Sequence, residues 1–331
     1  MTTARLLAMR ILRRSLALVL SAIAGALPAA PALAADESAT CPPQAAPHSA
    51  ERMQRGMREA RDHGFLWRIS KGGRSSYLYG TIHAAREDWM YPGPTIVDAI
   101  RGSDVVALEL DVLDPAIQQR LATSIGPSRA DPLPPALVRR LERRRAVECV
   151  DAAVWGKFAP EFQVASLTVL AARRDGFDPA YAIDLVLAGV GRELGKAVLS
   201  LETPEGQMQA LQMPTHAETI AFVDDALKDL EAGRARPMLN RIARIWVEGN
   251  YAELSNYAKW CDCLRTRSER AAMKRMLDDR NPALAASIDS LHAGGKQVFA
   301  AVGSLHMIGP NGLPALMKKR GYKVEQGDFG R

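Results

Sequence analysis

Two stretches at opposite ends of the chain repeat one order of elements. "YLYGTIHAAREDWMYPGPTIVDAIRGSDVVALELD" begins at Tyr77, and "VFAAVGSLHMIGPNGLPALMKKRGYKVEQ" begins at Val298. Each runs from an apolar strand into G-x-x-H, then a Pro/Gly loop, a helix and a second strand. The histidines are His83 and His306. Glycine permits a close backbone approach or a positive φ, so each turn can lift an imidazole above a strand end. Two such β-α-β units in one sheet put both turns at the carboxyl ends of parallel strands, the edge where α/β proteins collect ligands. A chain of this kind has to bring its two ends together.

The strands expected from apolar runs are 66–70, 76–80, 104–110, 197–201 and 297–302, with 323–326 as a sixth. Several are continuously apolar, as strands buried on both faces are. "SKGGRSS" between the first two reads as a hairpin turn. Long helical stretches fill the intervals, among them "ALVRRLERRRAVECV", "AIDLVLAGVGRELG" and "PMLNRIARIWVEGNY". The fold class expected is α/β: a mixed or parallel sheet assembled from the N- and C-terminal parts, with a large helical middle region. Its domain spans 63–331, with helical insertions at about 112–196 and 204–296.

The first 34 residues carry Arg5, Arg10, Arg13 and Arg14, an apolar stretch, and Ala32-Leu33-Ala34. That order is a secretory leader cut after Ala34, too short in its apolar part for a membrane span. Residues 35–62 read as a linker and short helix. The expected location is periplasmic or secreted, with no stable membrane span after cleavage. Removing the leader lowers the formal net charge from +6 to +2, which argues against nucleic-acid binding. Arg139, Arg140, Arg143 and Arg144 of "LVRRLERRR" recur at helical spacing and suit a solvated face. Cys41, Cys149, Cys261 and Cys263 form an even set, so two disulfides are expected in an oxidising compartment. Cys261 and Cys263 stand too close in sequence to bridge comfortably, so each is expected to pair with Cys41 or Cys149.

The polar residues that close buried strands carry the chemistry. Two imidazoles brought together from distant parts of the chain suit a divalent metal or an acid/base pair. Glu109 and Asp111 end the 104–110 strand two residues apart, which in a strand means one shared face. Glu202 ends the fourth strand before Thr203-Pro204, where helix capping is the plainer account. A carboxylate closing a buried strand is costly unless it ligates, hydrogen-bonds or meets water. Arg280 and Asn281 precede a proline-initiated helix. Asn281 there is a plausible N-cap, while Arg280 can hold a carboxylate bidentately or an oxyanion. His48, His63, His216 and His292 have no companion at ligand spacing.

These stretches, with "LWRIS", "GFDPAYAIDLVL", "GKAVLSLETPEGQMQAL" and "RNPALAASI", resemble the TraB/GumN family over residues 65 to 326. Its relatives include the Tiki proteases and PrgY, and more distantly ChaN and the erythromycin esterases. The resemblance implies a polar set of His83, His306, Glu109, Glu202 and Arg280, with Asn281 beside them. It implies a metal-dependent hydrolase of peptidase or esterase type, acting on a small-molecule or peptide substrate. A divalent ion (Mn²⁺, Co²⁺ or Zn²⁺) is expected on His83, His306 and Glu109, where it lowers the pKa of a bound water. Glu202 is then the proton acceptor and Arg280 the oxyanion donor. A metal-free version uses His83 or His306 as general base. The alternative in another class is a non-catalytic periplasmic protein that binds or sequesters a peptide or glycan.

Overall fold

A computed structural model describes residues 40–47, 49–126 and 132–327. The leader expected over 1–34 and His48 lie outside the described residues. Six strands form one mixed sheet: β1 (Phe65–Lys71), β2 (Arg74–Thr81), β3 (Val105–Leu108), β4 (Ala197–Ser200), β5 (Val298–Gly303) and β6 (Lys323–Gln326). Every expected strand is present, with ends shifted by at most two residues. The order across the sheet is β4-β3-β5-β2-β1-β6.

β5 lies between β2 and β3 and is parallel to both. The C-terminal strand is therefore inserted into the N-terminal β-α-β unit, which joins the two chain ends at the sheet centre. β3 and β5 are buried along their whole length, as their unbroken apolar runs require. β4 and β6 are edge strands and are more polar and more exposed. β1 alone runs antiparallel to its neighbours, through a two-residue Gly72-Gly73 turn with both φ angles positive. Such turns match the twist of the flanking strands.

Helices cover both faces. Ile96 and Ile100 of the Pro94–Arg101 helix, Leu187 of Ile183–Glu193, and Leu284 and Ile288 of Asn281–Ala293 are all buried in the sheet core. The helical middle also has a core of its own, where Leu137 and Leu141 meet Leu167, Val223 and Leu227. The sequence expectation of an α/β sheet with a helical middle therefore holds. Among the described residues no helix is long and apolar enough to cross a membrane.

The disulfides differ from expectation. Cys261 bridges Cys263, and Cys41 bridges Cys149. The chain leaves the Tyr257–Trp260 helix in an extended conformation at Cys261, and the two Cα atoms of the close pair stand 5.1 Å apart. That separation lies within the range a bridge accepts, so proximity in sequence does not exclude the pair. The long bridge ties the segment before the first helix to Cys149 across 108 residues. Non-reducing peptide mapping should link Cys41 to Cys149 and leave Cys261 and Cys263 on one fragment; a Cys41–Cys261 peptide would contradict this pairing. Replacing Cys41 and Cys149 by serine should lower stability by about 2–5 kcal/mol in urea unfolding, because the long loop is freed.

Candidate functional site

Parallel register explains why two carboxylates stand side by side. Leu108 of β3 pairs with Ser200 of β4, and the pairing continues past both strand ends as Leu201 N–H donates to Leu108 O and Glu202 N–H to Glu109 O. Glu109 and Glu202 thus leave the sheet edge as neighbours. Glu109 is only 5% exposed. Two adjacent buried carboxylates repel unless a cation meets them.

Arg280 is that cation. Its Nη2 donates to Glu109 Oε2 at 2.6 Å and also to Glu202 Oε1, and its Nε donates to Glu202 Oε2 at 3.1 Å. Nη1 donates to Met276 O at 2.9 Å and faces His306 Nε2 at 3.4 Å. Four of the five guanidinium protons are committed to protein oxygens, and the fifth faces His306 Nε2. The residues before it, Lys274–Asp278, form a π-helical turn, a local widening often found at functional sites. Gln207, on the Pro204–Leu211 helix, ties the same carboxylates by donating to Glu109 Oε2 and Glu202 Oε1.

Both glycines of the G-x-x-H turns serve close approach, not positive φ. A Cβ on Gly303 would lie 3.2 Å from Glu109 Oε1, 3.3 Å from His83 Nε2 and 3.7 Å from His306 Cδ2. The two imidazoles and the carboxylate therefore surround one bare stretch of backbone. Gly303 N–H donates to Glu109 Oε1 at 2.8 Å. At Gly80 the crowding comes from Ser304, whose hydroxyl donates to Thr81 O and locks the two turns together.

Each imidazole is oriented by its outer nitrogen. His83 Nδ1 is 2.8 Å from Asp184 Oδ2, and Thr81 donates to the other oxygen of that carboxylate. His306 Nδ1 is 2.6 Å from Asn281 Oδ1. The Asn281 amide nitrogen must donate to the carbonyl of Asn311, so its oxygen faces the histidine and Nδ1 carries the proton. Both Nε2 atoms are left toward the site, with His83 Nε2 3.9 Å from Glu109 Oε1. The histidines differ in access: the His83 side chain is 62% exposed, whereas His306 is 3% exposed.

The charges follow from these contacts. The Asp184 carboxylate draws the His83 pKa above its ordinary value; burial and Arg280 oppose it. Water on the open ring face screens this pull. Burial holds His306 down to about 4, so it is neutral near pH 7. Burial would raise Glu109, but His306, His83, Arg280 and the Gly303 N–H outweigh it and take the group down to about 2. Burial pushes Glu202 upward, only partly offset by Arg280. Glu109 and Glu202 share one guanidinium, while Asp184 faces His83.

All six residues expected from the sequence are brought together. Asn281 is not an N-cap: Arg280 holds that position, and Asn281 is buried beneath His306. Thr203 caps the Pro204–Leu211 helix, as the Thr203-Pro204 start predicts, while the Glu202 carboxylate meets Arg280 and Gln207. Glu109 and Asp111 do not share a face. β3 ends at Leu108, so the period of two lapses, and Asp111 turns away to Arg192. Asp184, Gln207 and Thr81 were not singled out from sequence. An acidic residue within the apolar "AIDLVL" run was the available signal for Asp184. His63 and His292 are structural: His63 contacts Val247 O, and His292 contacts Ser76 and Lys71 O.

The donor chemistry suits a divalent cation: two imidazole Nε2 atoms with their outer nitrogens held, and an ionised carboxylate. Among the described residues, however, no three His, Cys, Asp or Glu side chains already stand as a gathered metal cage. No curated protein and no solved structure matches the chain. A family model does, over residues 65–326, from the first strand through the sixth and across every residue of the site. The chain belongs to the TraB/PrgY/gumN family.

Proposed function

We propose that this protein is an exported hydrolase of amide or ester bonds that uses a divalent cation. The observation that carries the reading is the convergence of His83, Glu109 and His306 on Gly303. His83 Nε2, His306 Nε2 and Glu109 would hold Mn²⁺, Co²⁺ or Zn²⁺, which when bound supplies Lewis acidity and a water of lowered pKa. Asp184 and Asn281 fix the tautomers that turn both Nε2 atoms inward. Glu202 is the second carboxylate and takes the proton from the attacking water. Arg280, with four of its donors on protein oxygens, is a positioning residue that keeps Glu109 and Glu202 apart and ionised. The exposed His83 edge is the side from which substrate enters. Export is supported by the leader sequence and the two disulfides.

One observation favours a second reading, in which no metal takes part. Arg280 already meets Glu109 and faces His306, and Asp184 stands behind an open His83 as in a histidine general base. A protein that binds or sequesters a peptide or glycan is the alternative outside catalysis.

Elemental analysis of the purified protein, with and without added Mn²⁺, Co²⁺ or Zn²⁺, separates these. One ion per chain should be retained by wild type and lost in His83→Ala and His306→Ala. Asp184→Asn should weaken metal affinity about 10–100-fold. Turnover of a peptide and ester panel should fall with metal loss. Undiminished turnover in both histidine variants would remove the assignment, and turnover in metal-free wild type would favour the second reading. Arg280→Met should cost about 3–5 kcal/mol in urea unfolding, because it leaves two buried carboxylates uncompensated. Adding Glu202→Gln should restore part of that loss; equal stability of Arg280→Met and wild type would show that the guanidinium is not needed to hold the pair.

A further inference from the structure

The segment "WCDCL" takes no part in the candidate site, and its two cysteines form the shorter of the two disulfides. The bridges differ in what they hold. Cys41–Cys149 closes a sequence separation of 108, and Cys261–Cys263 a separation of 2. A cross-link restrains the unfolded chain less as its loop shortens. Of the pairings open to these four cysteines, the short one therefore does least as a staple.

The two sulfurs of the short bridge sit in different surroundings. Cys261 is 7% exposed, and its Sγ lies 3.4 Å from Met238 Sδ. Cys263 is partly exposed and follows the exposed Asp262. The Tyr257 hydroxyl stands 3.0 Å from Cys263 Sγ. A disulfide sulfur carries no proton, so the phenol is the donor. Burial pushes Tyr257 up to about 12, which keeps that proton in place.

The donor is also held in position. The Tyr257 ring is buried and meets Trp260 edge-on, with centroids 5.0 Å apart. Trp260 in turn donates from Nε1 to Glu253 O, and the Arg241 guanidinium lies over its face. A sulfur in a disulfide is a weak acceptor, whereas a thiolate is a strong one. The fixed phenol thus suits the reduced state of Cys263 better than the oxidised one. Cys261, among apolar neighbours and a thioether, is placed as a thiol that stays protonated.

We propose that Cys261–Cys263 is a redox-active disulfide that oxidises thiols, with Cys263 as the sulfur attacked and Tyr257 as the donor to its thiolate. The client is a peptide or protein segment with two thiols. One client thiolate attacks Cys263 Sγ. The Cys261–Cys263 bond breaks, and Cys261 leaves and takes up a proton. The second client thiolate then attacks the client sulfur of the mixed disulfide. The client disulfide forms, and Cys263 departs as a thiolate that accepts from the Tyr257 hydroxyl. Two electrons pass from client to protein, and exchange with a further disulfide, such as oxidised glutathione, restores the bridge. Stabilising the reduced form makes such a pair more oxidising.

Equilibration of the purified protein in glutathione buffers, followed by alkylation and peptide mapping, reads each pair separately. The equilibrium constant for reduction should be at least about tenfold larger for Cys261–Cys263 than for Cys41–Cys149. Tyr257→Phe keeps the ring and should make the short pair roughly tenfold harder to reduce, leaving the long pair unmoved. A second measurement does not need that variant to fold. Cys261→Ser should form a mixed disulfide with oxidised glutathione about tenfold faster than Cys263→Ser. With oxidised glutathione present, wild type should speed disulfide formation in a dithiol peptide, and Cys263→Ser should not. His306→Ala should keep this activity, so the outcome does not depend on the hydrolase reading. Equal reduction constants for the two pairs would overturn the proposal. So would an unmoved constant in Tyr257→Phe, or equal trapping by the two serine variants.

Discussion

The guanidinium of Arg280 between Glu109 and Glu202 is the contact around which the sheet edge is organised. The sheet itself creates the need for it. Once β3 and β4 pair in parallel with Leu108 opposite Ser200, the next residues of both strands emerge together. Both sequences place glutamate there. Two desolvated carboxylates at one edge cost several kcal/mol unless compensated, and a planar five-donor cation meets both at once. The π-helical turn before Arg280 and the Met276 carbonyl aim the fork.

That contact also joins parts of the chain that the strand order alone leaves apart. Glu109 follows the N-terminal β-α-β unit, Glu202 follows the first helical insertion, and Arg280 precedes the last helix of the second. His306 belongs to the C-terminal unit, whose strand β5 is held between β2 and β3. The helical middle therefore does more than cover the sheet. It delivers Arg280, Gln207 and Asp184 to an edge whose other members come from the two termini.

Much of this was legible in the sequence because burial on both faces leaves a continuous apolar signal. β3 and β5 were visible for that reason, and so were the polar residues that close them. What was not legible depends on local geometry that periodicity does not encode. The alternation linking Glu109 to Asp111 fails because the strand stops at Leu108, two residues early. The bridge between Cys261 and Cys263 forms because the backbone extends at Cys261, which spacing alone does not reveal. Asp184 and Gln207 sit in helices whose patterns read as ordinary packing. Their roles come only from the partners across the edge.

The two G-x-x-H turns also show how one short pattern serves two environments. In each, glycine is needed because another group occupies the space of a side chain: Ser304 at Gly80, and Glu109 with His83 at Gly303. Beyond that point the turns diverge. His83 stands in the open with a carboxylate behind it, so its imidazole is drawn toward the charged form. His306 is buried against an uncharged amide and beside a guanidinium, so its imidazole is held neutral. A symmetric repeat thus yields an asymmetric pair, one imidazole that reaches solvent and one fixed as a lone-pair donor. The difference is set by Asp184 behind the open ring and by the burial of the other, not by the shared motif.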